Sequence, residues 1–199
     1  MTDDLKRYEK LQEERKERFK AKALAAVSNL PPEFMEQMAD LTSHRIDGIA
    51  RMGNIPFACP LITEIVPNLW QGGCPPYEVP AYFQFVLNLY PWEKYKVSET
   101  TQIRYEQLYD SEDIASTGLL FELAEWVNEK RKIGPTLVHC QAGLNRSALV
   151  TALALMLEGM SASEAIMLLR TNRSPAVLCN PTFETWLRSI KLDKRGRLV

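Results

Sequence analysis

The hydrophobic pattern of the chain changes period several times, and each change marks a predicted element. Residues 3–22 alternate acidic and basic clusters around a thin apolar stripe of Leu5, Tyr8 and Leu11, with nothing further before Phe19. Glu13 stands three residues before Lys16 and Glu14 four before Arg18, a pairing that predicts a solvated helix. Pro31-Pro32 breaks it, and Met35, Met38, Leu41, Ile46 and Ile49 then recur at roughly helical spacing, predicting one or two short helices within 34–52. From residue 62 the runs shorten. Ile62 to Val66 and Leu69 to Gln71 predict two strands around Pro67-Asn68. Tyr82 to Tyr90 is a near-continuous apolar run suited to a strand buried on both faces, and Ile103 and Tyr105 alternate with polar neighbours in another strand.

Helical spacing then returns. Ser116 or Thr117 caps a predicted helix whose apolar face is Leu119, Leu120, Leu123, Trp126 and Val127. Pro135 to Val138 is a short apolar strand, and Ala148 to Leu157 is an apolar run of helical length. Ser161 and Glu164 form a capping box ahead of Ala165, Ile166, Leu168 and Leu169. Asn180-Pro181 supplies an N-cap and a first-turn proline for a last helix through Phe183, Trp186 and Leu187. Strands alternating with helices predict an α/β domain at 56–199, with its site beyond the carboxyl ends of the strands, behind an N-terminal helical extension at 1–55.

Composition narrows the function classes. A chain of 199 residues with 46% hydrophobic and 25% charged residues is an ordinary globular composition. A net charge of −1 gives no global attraction to nucleic acid or membrane. The longest apolar run is too short to span a bilayer and no apolar leader is seen, so the reading is cytoplasmic, with no membrane partner. Cys59, Cys74, Cys140 and Cys179 show no metal-ligand spacing, and only His44 and His139 could assist them, so neither a metal nor another cofactor is expected. Cys59, Cys74 and Cys179 read as inert buried thiols, the alternative being a resolving cysteine for oxidised Cys140.

The chemistry concentrates between Val138 and Val150, VHCQAGLNRSALV, where a thiol sits on a turn between a strand and a helix N-terminus. Such a turn directs successive backbone N–H groups into one concavity, and the helix end adds partial positive charge, so the cradle favours a dianion. Gln141, Ala142, Gly143, Leu144, Asn145 and Arg146 are the candidate phosphate-binding residues. The same field favours a thiolate at Cys140. Gly143 relieves crowding at the turn. Arg146 offers a planar fork that can hold two phosphate oxygens, and Ser147 can donate to the sulfur.

The pattern His-Cys-x-x-Gly-x-x-Arg-Ser, at 139–147, resembles the signature loop of the cysteine-dependent protein tyrosine phosphatases, and Ser147 with the modest chain length resembles the dual-specificity branch. The resemblance implies a central, mostly parallel sheet flanked by helices. It also implies hydrolysis of phosphotyrosine, with phosphoserine and phosphothreonine as further monoesters, through a cysteinyl-phosphate intermediate. Phosphoproteins or phosphopeptides are then the substrates. In that family an Asp about thirty residues ahead of the Cys protonates the leaving group, and Asp110 stands 140 − 110 = 30 positions upstream. Asp113 and then Glu112 are its competitors. His139 faces away from Cys140 and supports the loop backbone. Arg170, Arg173, Pro175 and Asn180-Pro181 resemble the family's closing segment. Arg173 there either contacts substrate or solvates a loop, and Asn180 either positions the hydrolytic water or caps a helix.

Asn145 departs from the small residue usual at its place and is similar to the loop of RNA 5′-triphosphatases, although Gln141-Ala142 lacks the Thr-His of those enzymes. RNA is therefore the alternative substrate, and the charged N-terminal helix is the candidate surface for RNA or for docking a protein partner. A phosphate-binding module without catalysis is the third reading.

Overall fold

The computed structural model describes residues 49–52 and 55–193, so the predicted helices before residue 49 lie outside the described residues. Strands β1 (Ile49–Met52) and β2 (Ile55–Pro60) pair antiparallel in a small sheet of their own. This corrects the helical reading of the end of 34–52. Ile46, Ile49 and Met52 do sit at helical spacing, but antiparallel pairing of Ile49–Met52 with Ile55–Pro60 prevails over local spacing.

The main sheet has five strands in the order β3-β4-β7-β5-β6. β3 (Ile62–Val66) and β4 (Leu69–Gly72) form an antiparallel hairpin over Pro67-Asn68, with Asn68 at φ 63°. That left-handed conformation suits Asn better than most residues. β5 (Phe85–Asn88), β6 (Gln102–Tyr105) and the central β7 (Thr136–His139) add parallel pairs with one another and with β4. Every residue of β7 is buried.

β5 is shorter than the apolar run at 82–90 predicts. The Phe83 N–H bonds to the Pro80 carbonyl in a turn, and Tyr82 and Phe83 pack their rings with Trp70 instead of extending the ladder. At the other end the Asn88 side chain accepts from the Tyr90 N–H at 2.7 Å and turns the chain out of the sheet. Aromatic residues of loops and of strands read alike in sequence.

Among the described residues four helices cover the sheet: α1 (Thr117–Arg131), α2 (Arg146–Leu157), α3 (Ala162–Asn172) and α4 (Pro181–Ser189). α2 is buried from Arg146 through Met156, so its all-round apolar composition reflects a core position. The capping box of α3 and the Asn180 cap of α4 form as the sequence predicts. At α1 the N-cap position is Ser116, but its hydroxyl makes no cap bond. The Ser116 carbonyl instead accepts from the Leu120 N–H at 3.0 Å. The carboxyl ends of β7, β5 and β6 lead directly into residues 140–145, 89–92 and 106–113, and these three segments build the site.

Candidate active site

Residues 140–145 form a loop whose carbonyls are all engaged. The Cys140 carbonyl faces His139 Nδ1 at 3.3 Å. That of Gln141 accepts from the Cys74 N–H at 2.9 Å, that of Leu144 from the Leu178 N–H at 2.8 Å, and that of Asn145 from the Leu149 N–H at 2.8 Å. The Ala142 and Gly143 carbonyls accept from Arg173 at 3.4 and 2.7 Å, and Gln71 adds a second donor to Gly143 at 2.9 Å. A peptide whose carbonyl is held on one side presents its N–H on the other. The N–H groups of Gly143 and Ser147 accordingly reach the Cys140 sulfur.

Gly143 has φ +71°, and a Cβ there would overlap the backbone of Gly72 and the Arg173 guanidinium. Only glycine fits this turn.

Cys140 is 2% exposed, with its sulfur 3.4 Å from the Ser147 hydroxyl. Burial pushes the thiol up, but the Arg146 charge, the Ser147 hydroxyl and the N–H groups of Ser147 and Gly143 outweigh it and hold Cys140 below the ordinary thiol value. The site therefore favours a thiolate. Arg146 donates through Nη1 to the Leu108 carbonyl at 3.3 Å and lies 5.0 Å from the centre of the Tyr90 ring. Its Nε is buried with no protein acceptor. A buried guanidinium N–H without a protein acceptor, beside a cysteine met by two backbone N–H groups, suits an oxyanion.

His139 turns away from the sulfur, as strand alternation predicts. Burial pulls its pKa down to about 4; the bond to the Cys140 carbonyl opposes this and the Arg146 charge adds to it. The ring is neutral at pH 7. Tyr95, whose hydroxyl burial pushes up and keeps protonated, lies 2.5 Å from Nε2. The Tyr95 hydroxyl donates to Nε2, so Nδ1 carries the proton donated to the Cys140 carbonyl.

Asp110 is brought to the loop. Its Oδ2 accepts from Asn145 Nδ2 at 2.9 Å and its Oδ1 from Asn180 Nδ2 at 2.8 Å. Glu112 and Asp113 are exposed, and the Asp113 bond in this turn is made by its carbonyl, to the Ser111 hydroxyl. Asn180 caps α4 through Oδ1 to the Thr182 N–H at 3.0 Å, so the capping role holds, with Asp110 as an additional partner.

Arg173 fits neither role given to it above. It is 5% exposed, and besides its two loop carbonyls it donates to Thr63 Oγ1 at 3.1 Å and to the carbonyls of Gln71 and Leu61 at 3.2 and 3.3 Å. It staples the β3–β4 hairpin to the back of the loop. Its partners lie 30 to 112 positions away, and no local pattern points to them. Cys59 and Cys74 are buried, but Cys179 is exposed, which corrects its reading as a buried thiol. Cys179 sits between Leu178, at φ 58°, and the α4 cap, where the chain is outside any packed element. Among the described residues no group of three or more His, Cys, Asp or Glu is placed to hold a metal ion, and no helix is long and apolar enough to cross a membrane.

The mostly parallel sheet and the cysteine loop at its carboxyl edge define a cysteine-centred oxyanion site on an α/β fold. The sequence model of the dual specificity phosphatase catalytic domain matches residues 78–192, and the chain belongs to that family. The fold is shared with a mouse putative dual specificity phosphatase solved with zinc tungstate, at 20% identity and TM-score 0.56 over 66% of this chain and 87% of that one. It is shared also with human DUSP28, at 20% identity and TM-score 0.57 over 63% and 92%. The active form of Tk-PTP aligns at 22% identity and TM-score 0.53 over 70% and 99%. No curated protein matches in sequence.

Proposed function

We propose that this phosphatase hydrolyses aryl phosphate monoesters, phosphotyrosine foremost, through a cysteinyl-phosphate intermediate. The observation that carries this is the Cys140 thiol, held low among inward N–H groups and beside the unmatched Nε of Arg146. Cys140 Sγ forms a bond to phosphorus as the ester P–O bond breaks. The electron pair goes to the leaving oxygen, which takes a proton from Asp110. Arg146 and the loop N–H groups hold the equatorial oxygens. Water then attacks phosphorus, giving its proton to the Asp110 carboxylate, and the S–P bond breaks with Ser147 stabilising the departing thiolate.

The rings of Tyr90, Trp92 and Tyr109 support an aryl substrate. They run outward from Arg146, with centroids 4.9 Å apart for the first pair and 5.9 Å for the second, and Trp92 is 47% exposed. Stacking along this wall favours a flat leaving group over an aliphatic one. The RNA reading rests on Asn145, whose amide is engaged by Asp110 and Asn180.

The test is phosphate release from a phosphotyrosyl peptide and from a 5′-triphosphorylated RNA, side by side, with Cys140→Ser as the blank. Faster release from the peptide is expected. Faster release from the RNA, or release by the Cys140→Ser protein, would overturn the proposal.

A further inference from the structure

The turn that carries Asp110 is tied to the phosphate loop by two asparagine side chains, one on each flank. The Asn180 backbone N–H donates to Asn145 Oδ1 at 3.0 Å, and the Cys179 thiol reaches the same oxygen at 3.4 Å. An N–H can only donate, so this bond fixes the oxygen of Asn145 there and turns its NH₂ toward Asp110. Asn180 is fixed in the same way. Its oxygen caps α4 at the Thr182 N–H, and its NH₂ is left for Asp110 Oδ1 and for the Ser111 carbonyl at 2.8 Å. Two amides, each oriented by a backbone N–H, thus donate to the two oxygens of one carboxyl group.

We infer that Asn145 and Asn180 are positioning residues that dock the Asp110 turn on the phosphate loop, so that the proton donor is in place before substrate arrives. The inference rests on the reading of Asp110 as acid and base. It assigns Asn145 a role that has nothing to do with recognising RNA. The consequence is selective: docking matters in proportion to how much the leaving group needs a proton. An ester of phenol, whose hydroxyl resembles that of tyrosine with a pKa of about 10, depends on it strongly. An ester of 4-nitrophenol, a much better leaving group, depends on it weakly.

The experiment compares kcat on phenyl phosphate and on 4-nitrophenyl phosphate for the full chain and for Asn145→Asp, Asn180→Asp and Asp110→Ala. The two Asp variants keep the oxygen that meets the backbone N–H, the α4 cap included, and turn an acceptor toward Asp110 in place of a donor. Asn145→Ala serves as a second truncation, since the Asn145 side chain makes no cap bond to α2. Thermal melting confirms that each variant is folded. Whatever loss is common to both substrates, the loss on phenyl phosphate is expected to exceed that on 4-nitrophenyl phosphate by about tenfold in each Asn variant, within the 10²–10⁴ range of general acid catalysis. Adding Asn145→Asp to Asp110→Ala is expected to leave the ratio of the two substrates where Asp110→Ala alone sets it, because the asparagine acts through the carboxyl. Equal losses on both substrates in the Asn variants, with Asp110→Ala still separating them, would overturn the docking role alone. An Asp110→Ala protein that does not separate the substrates would overturn the acid assignment, and the docking role with it.

Discussion

The loop at 140–145 and the turn at 110–113 meet in one site but are held by different means. Each carbonyl of the first is met from behind, by backbone N–H groups, by Gln71, by His139 or by Arg173, and its residues are largely buried. The second is half-buried at Asp110 and Ser111 and exposed at Glu112 and Asp113, and two side-chain amides tie it to its neighbours. On the proposed mechanism, nucleophile and anion cradle are therefore built into the core, whereas the acid is docked onto it. Electrostatic stabilisation of a transition state requires dipoles that do not reorganise, which burial provides. Proton transfer requires only reach and orientation, which a few hydrogen bonds provide.

The largest effect that sharpens this contrast is at the nucleophile. Cys140→Ser is expected to lower phosphate release on the order of 10⁴-fold or more, as loss of a covalent nucleophile does, with little change in the melting temperature. Asp110→Ala comes next, with a loss of about 10²–10⁴-fold on phosphotyrosine. Because the acid turn is only docked, this variant should melt with the parent protein. A large drop in its melting temperature would blur the distinction between the two regions.

Arg173→Lys tests the other side. An ammonium cannot reproduce the fork, so several buried carbonyls lose their donor, and the protein should lose roughly 2–3 kcal/mol, or several degrees in melting temperature. Activity should fall with it, although Arg173 faces the back of the loop.

The smallest effect concerns His139. Its folded pKa of about 4 lies below the unfolded value of about 6.5, so the unfolded chain binds the extra proton between these values. Stability should therefore fall as pH drops from about 6.5 toward about 4, by up to about 1.4 kcal/mol per unit, and melting curves across that range check it. Tyr95→Phe, which removes the donor to Nε2, should cost about 1 kcal/mol at pH 7.

What the sequence made legible follows the same division. The thiol, the glycine, the arginine and the hydroxyl of the loop stand at fixed spacing within 140–147, and the Ser161 and Asn180 caps are likewise local patterns. The order of strands and helices from residue 62 onward is also local. Arg173 was not legible, because its partners come from residues 61 to 143 and only folding brings them together. The bonds of the Asn145 side chain were not legible for the same reason: its partners, Asp110 and Asn180, each lie 35 positions away. The strand at Ile49–Met52 and the shortened β5 show tertiary pairing and aromatic packing overriding local period.

The central claim, covalent catalysis at Cys140, is tested most directly by trapping the intermediate. The Asp110→Ala protein, slowed in hydrolysing the intermediate, would be mixed with 4-nitrophenyl phosphate, quenched in acid and digested for mass spectrometry. The account predicts one phosphoryl group on the peptide containing Cys140, absent after Cys140→Ser. Rapid turnover with no phosphoryl adduct on Cys140, or an adduct on another residue that survives Cys140→Ser, would contradict it.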